Sequence, residues 1–311
     1  MLKTQINTVI KPFAALVALT VLLAGQSVLA QDNTQGRYRP DGRQIAAEIS
    51  RMFGERLYEV RTYDPQPRVD EFADATIFYP LTLSFAPPIG AVAVVPGYRG
   101  AAENYEWWGP MLASFGYAVL IMNTNTPEDN LEARKQALMT AAEFLRNENT
   151  ESDSPIAGRI DTGKIAIMGH SLGGGAALQA ASELGSDGVG AVIPLLPYCC
   201  ELGQSFRGDL ASLNVPTLIM ATAEDSIAPP AQHARLLYDA IADSTSRVYM
   251  EFAEGDHMMA TSSGQDLVTM GRYAMAFLKF HLDSQPQYEA VIYGGEAGDY
   301  EGKFSRFDAS R

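Results

Sequence analysis

One junction limits what this chain can fold into more than any other. The apolar run 164–168 leads into Gly169-His170-Ser171-Leu172-Gly173, and Gly174-Gly175-Ala176-Ala177-Leu178 then opens a helical pattern. A strand must become a helix within a few residues, and such a turn is too cramped for side chains at its flanking positions. Glycines let strand and helix approach closely. The new helix aims the positive end of its dipole, and the free N–H of Leu172, beside the Ser171 hydroxyl. A glycine-rich turn that only packs is the bland alternative. What favours a chemical role is the position of other polar residues at later strand ends.

The rest of the chain repeats the strand–helix alternation. Residues 57–63 and 73–79 alternate apolar and polar side chains. Residues 91–95, 117–122, 164–168, 191–196, 215–221 and 247–252 read as strands, and 91–95 is apolar throughout, the mark of a strand buried on both faces. Helical patterns fall between them at 107–115, 131–145, 172–184, 231–241 and 266–282. This order predicts a mostly parallel central sheet with helices on both faces. With the junction at Ser171, it predicts an α/β-hydrolase fold without a lid domain, since no long apolar insertion interrupts the units.

The segments outside that core read differently. Residues 1–30 carry Lys3 and Lys11, then a charge-free apolar stretch, then Val28-Leu29-Ala30 before Gln31-Asp32. That is a secretory signal peptide with cleavage after Ala30, since the stretch falls short of the ~20 residues that span a bilayer. The expected location is secreted or periplasmic. Residues 31–56 read as an N-terminal extension with weak helical periodicity over 44–53, 57–285 as the catalytic domain and 286–311 as a C-terminal tail packed on the domain. The net charge is −14, and −16 once the two lysines of the signal segment leave. Such a balance argues against nucleic acid and anionic membranes as partners. A soluble monomer is expected. Cys199 and Cys200 are adjacent, too close for an ordinary disulfide, and are expected as a free pair or a vicinal bridge.

A serine is a weak nucleophile without a base. Of the four histidines, His257 stands in a loop straight after the strand 247–252, where open α/β sheets place their sites. His233 falls inside a helical pattern and reads as a surface or half-buried side chain. His281 ends a helix, and His170 adjoins Ser171 too closely to reach it, which suits packing or substrate contact. The acid should follow another strand end between Ser171 and His257. Asp225 does so, with Glu224 as a possible substitute and Asp256 as a weaker one. Its task would be to hold His257 in one tautomer.

These residues, with Val94-Val95-Pro96-Gly97-Tyr98, Trp107-Trp108-Gly109-Pro110, Asn123-Thr124-Asn125 and Asp225-Ser226-Ile227-Ala228-Pro229, carry a resemblance. The chain resembles the bacterial cutinase-like polyester hydrolases, the poly(ethylene terephthalate) hydrolase group, within the dienelactone-hydrolase-like α/β-hydrolases. The likeness runs from about residue 73 to 283. It implies a serine carboxylic-ester hydrolase working through an acyl-serine intermediate, with no metal or organic cofactor. It also implies Ser171, Asp225 and His257 as the triad, and backbone N–H groups of Tyr98 and Leu172 as the oxyanion hole. Tyr98 and Tyr198 would contact substrate. The chain departs from the family at Leu172, where methionine is usual, at Tyr198, where tryptophan is common, and in a tail that lacks the usual cysteines. A short-chain esterase, a peptidase and a silent binding protein on the same scaffold are the alternatives.

Overall fold

The computed structural model describes residues 41–81, 88–204, 210–294 and 302–311. The expected signal peptide, residues 1–30, lies outside them. Nine strands form one sheet: β1 (Val60–Tyr63), β2 (Asp74–Pro80), β3 (Ile89–Val95), β4 (Ala118–Asn123), β5 (Ile160–His170), β6 (Ala191–Leu195), β7 (Thr217–Thr222), β8 (Arg247–Phe252) and β9 (Phe304–Ser310). Their spatial order is β1-β2-β4-β3-β5-β6-β7-β8-β9. The six strands from β4 to β8 run parallel, while β1, β2 and β9 are antiparallel additions at the two edges.

The continuous apolar strands are explained by what covers them. Val92 and Val94 of β3 point into one apolar core, and Ala91, Ala93 and Val95 into the other. The first core is closed by α1 (Gly42–Phe53), α2 (Trp108–Ser114) and α6 (Leu267–His281). The second is closed by α3 (Leu131–Glu148), α4 (Leu172–Gly188) and α5 (Ala234–Ala240). With no solvated face, no polar residue is needed along β3. The architecture is the α/β-hydrolase fold the sequence predicts.

Two segments outside the expected catalytic domain are built into the fold. Residues 42–53, inside the predicted extension, form an amphipathic helix that belongs to the core. Asp41 accepts hydrogen bonds from the backbone N–H groups of Arg43 (2.8 Å) and Gln44 (2.9 Å), and the Gln44 side chain accepts from Asp41 N–H in return. This capping box starts a helix whose Ile45, Ala46 and Ile49 are fully buried. Gly271 of α6 lies so close beneath that an added Cβ would stand 3.0 Å from Ile49 and 3.2 Å from Met111 of α2. The tail is likewise integral. Phe304–Ser310 pairs antiparallel with β8, and the short helix α7 (Glu289–Tyr293) precedes it. The strand escapes sequence reading because it is an edge, half-exposed and rich in charge, as edge strands commonly are.

The chain order reverses beside β3, with β4 on one side and β5 on the other. The carboxyl ends of β3 and β5 therefore border the crevice in which open α/β sheets hold ligands. Those ends carry Pro96-Gly97-Tyr98 and Gly169-His170-Ser171.

Candidate active site

Ser171 sits between β5 and α4 at φ 55° and ψ −121°, a left-handed backbone that costs a non-glycine residue of order 1–3 kcal/mol. Surrounding hydrogen bonds hold it there. Ser171 N–H donates to Leu195 O (2.9 Å), and Ser171 O accepts from Gly174 N–H (2.9 Å) and Tyr198 N–H (2.8 Å). The glycines are required by contact. A Cβ on Gly169 would lie 2.1 Å from Gly173 O, and one on Gly173 would lie 2.5 Å from Pro96 O. The sequence places these residue types together because nothing larger fits where β5, α4 and the Pro96 turn converge.

The hydroxyl so presented meets an imidazole. Ser171 Oγ lies 2.7 Å from His257 Nε2, and His257 Nδ1 lies 2.7 Å from Asp225 Oδ2. A carboxylate only accepts, so Nδ1 carries the proton and Nε2 is left to accept from the serine O–H. Asp225 Oδ1 accepts from Ile227 N–H (2.9 Å) and Ala228 N–H (2.7 Å). Burial opposes ionisation of Asp225, but the hydrogen bonds from His257, Ala228 and Ile227 outweigh it and hold the carboxyl below its ordinary range. All three side chains are at least nine-tenths buried. Glu224 is exposed and Asp256 turns back onto Met258 N–H, so of the three acids only Asp225 reaches the imidazole.

The remaining candidates surround this arrangement. Gly97 is packed against Ser171, since a Cβ on it would stand 3.0 Å from Ser171 Cβ. The peptide that follows, with the N–H of Tyr98, is therefore beside Ser171. Leu172 is the first residue of α4, and its N–H is one of the four at a helix start without an intrahelical acceptor. Its side chain is buried against Leu131, Ala176 and Tyr198. Next to it a cleft of about 460 Å³ is lined by Tyr98, Asn130, Leu202 and the carboxylates of Glu128 and Glu201. Tyr98 is 38% exposed at its edge, with the Arg99 guanidinium 5.4 Å over its ring.

Two side chains, His170 and His233, differ from the sequence reading. His170 does not contact the cleft. It is 2% exposed, with Nδ1 2.7 Å from Tyr105 Oη and Nε2 2.7 Å from the His257 carbonyl oxygen. Packing, not substrate contact, is its observed setting. His233 is no surface residue. The predicted helix 231–241 is broken into a 3-10 turn, Pro230–Gln232, and α5, with His233 in non-helical backbone between them. From there its ring stacks on Tyr198 at 4.0 Å, and Nδ1 accepts from Cys199 N–H (3.2 Å). Burial lowers its pKa, so it is a neutral acceptor. Its nearness to Pro229-Pro230, which cannot continue a helix, was the available signal. Cys199 and Cys200, expected as a free pair or a vicinal bridge, are buried free thiols, and burial pushes the Cys200 thiol up to about 12. Among the described residues, no group of three or more His, Cys, Asp or Glu side chains is set to hold a metal ion.

This geometry suits acyl transfer: a hydroxyl on a base, the base on a carboxylate, and backbone donors beside them. Comparison with known proteins agrees. A model of the PET hydrolase-like family matches residues 46–309. A bis(hydroxyethyl) terephthalate hydrolase of Streptomyces coelicolor is 34% identical over 72% of this chain and 67% of its own length. The cutinase est1 of Thermobifida alba is 34% identical over 73% of this chain and 71% of its own. Cutinase 2 of Thermobifida cellulosilytica is also 34% identical, over 73% and 80%. The match takes in β1 to β9 and every residue that meets at Ser171, and the chain belongs to the PET hydrolase-like family of α/β-hydrolase carboxylic-ester hydrolases.

Proposed function

We propose that Ser171 is the nucleophile of this ester hydrolase, His257 its general base and Asp225 the residue that orients the base. The observation that supports this most is the pair of 2.7 Å contacts linking Ser171 to His257 and His257 to Asp225. His257 takes the Ser171 proton as Oγ attacks the ester carbonyl. The tetrahedral oxyanion is held by the N–H groups of Tyr98 and Leu172. As it collapses, His257 protonates the leaving alcohol, and water resolves the acyl-serine by the same route. Asp225, ionised and buried, stabilises the imidazolium that forms in each half.

The substrate in this reading is a cutin-like or synthetic polyester, with the relatives' cutinase and terephthalate-ester activities as support. Tyr98 and Tyr198 offer apolar rings with polar tips to an aromatic or aliphatic acyl group. The stack of Tyr198 on His233 keeps its ring in one orientation. Export through residues 1–30, a mature chain from Gln31 and a monomeric state complete the proposal. No helix among the described residues is long and apolar enough to cross a membrane.

The test is release of p-nitrophenol from acyl esters of increasing length, alongside release of soluble acids from a polyester film, by wild type and Ser171→Ala. Activity of wild type on both, absent in the variant, is the expected result. Activity on short esters without film hydrolysis would make the protein an esterase of small soluble substrates. Turnover retained by Ser171→Ala would remove Ser171 from the chemistry.

A further inference from the structure

Tyr105 belongs neither to the triad nor to the cleft, yet its buried hydroxyl lies between the two backbone segments on which the chemistry depends. Gly97 N–H donates to Tyr105 Oη (3.2 Å), Tyr105 Oη lies 2.7 Å from His170 Nδ1, and His170 Nε2 lies 2.7 Å from the His257 carbonyl oxygen. Chemistry fixes every direction along this chain. A carbonyl only accepts, so His170 Nε2 carries the proton. Neutral His170 then offers Nδ1 as an acceptor, Tyr105 must donate to it, and the tyrosine oxygen is free to accept from Gly97. Burial holds the His170 pKa down to about 3, so the ring stays in this neutral form beside the His257 ring, 4.8 Å away. A charged His170 would repel the imidazolium that His257 becomes during reaction.

We propose that Tyr105 and His170 are positioning residues, whose directional hydrogen bonds set the oxyanion turn and the base at a fixed separation across Ser171. The proposal rests on the roles given above to Ser171, His257 and Tyr98. Gly97 immediately precedes Tyr98, and no slack exists at that point, because a Cβ on Gly97 would stand 3.0 Å from both His170 Nδ1 and Ser171 Cβ. At the other end, the loop after His257 is held independently. The indole N–H groups of Trp107 and Trp108 both donate to Ala260 O (3.0 and 3.1 Å), and Ser262 N–H donates to Asn104 O (2.7 Å). The segment 104–108 thus anchors the far end of the loop directly. Among the described residues, the hydrogen-bond route from it to the end that carries His257 runs through Tyr105 and His170.

That division makes the idea testable apart from folding. Tyr105→Phe deletes one oxygen and leaves the Trp107, Trp108 and Ser262 anchors in place. The expected result is a melting temperature within a few degrees of wild type and KM within about twofold. The same variant should lose on the order of ten-fold or more in kcat, since small misplacements of catalytic groups cost that much. The downfield proton resonance of His257 Nδ1–H should shift and exchange faster with solvent. His170→Asn, whose short amide cannot span from Tyr105 to the His257 carbonyl, should behave alike. The idea is overturned if kcat stays within twofold of wild type, or if activity falls only with the folded fraction while the resonance is unmoved. Ser171→Ala, assayed in parallel, separates the cases: turnover retained there defeats the catalytic reading itself, whereas a dead Ser171→Ala with a wild-type Tyr105→Phe defeats only the positioning role.

Discussion

Acidification tests the state of His170 directly. The unfolded chain carries this histidine with an ordinary pKa of 6.5, while burial in the folded protein takes it down to about 3, with the nearby His257 ring adding to the shift. Of the other polar groups that face it, the Tyr105 hydroxyl donates to the neutral ring, while the His257 carbonyl and Asp225 pull the pKa up without restoring it. Between those two values the unfolded state binds a proton the folded state refuses. Stability is therefore complete above pH 6.5 and is lost as pH falls toward 3. At pH 4.5 this shift implies a loss on the order of 2–3 kcal/mol relative to pH 7.5 from this one residue. The measurement is urea unfolding of wild type and His170→Asn at both pH values. The variant's absolute stability does not matter, because only the change with pH is compared. Wild type should lose about 2–3 kcal/mol more than the variant on acidification. If both lose the same amount, His170 is not a buried neutral histidine, and the hydrogen-bond directions through Tyr105 fall with it. His281, also lowered to about 4 by burial, titrates in both proteins and cancels in the comparison.

Other perturbations probe separate links. Asp225→Asn keeps the shape but disturbs the tautomer of His257, and kcat should fall on the order of 10⁴-fold with little change in melting temperature; a loss below tenfold would show that another group orients the base. Asp41→Ala removes the cap and its reciprocal bond to Gln44, costing about 1 kcal/mol, which thermal unfolding should register as a drop of roughly 2–4 °C with activity intact. Gly173→Ala drives a methyl toward Pro96 O at 2.5 Å, so calorimetry should show a loss of about 1–3 kcal/mol. Esterase assays on the folded fraction should show reduced kcat, because the Pro96 turn must move away from Ser171.

Local chemistry made a large part of this protein legible from sequence. A strand-to-helix turn that admits no side chains leaves glycines at fixed places, so Gly169, Gly173 and Ser171 announce their own geometry. Strands covered on both faces need apolar runs, and the centres of β3 to β7 declare themselves by that rule. Chain order then points to Asp225 and His257 at later strand ends, and the structure brings both to Ser171. Only the tertiary structure decided the rest, because the partners involved are remote in sequence and carry no periodic signal. Tyr105 is 65 residues from His170, and nothing in the pattern of either marks a shared hydrogen bond. His233 reads as one more helical residue until its own non-helical backbone divides the 3-10 turn from α5 and its ring turns onto Tyr198. The edge strand β9 gains its conformation from pairing with β8 rather than from its own half-exposed residues. Helix α1 draws its stability from burying Ile45 and Ile49 against α2 and α6, surfaces that exist only once the sheet has formed.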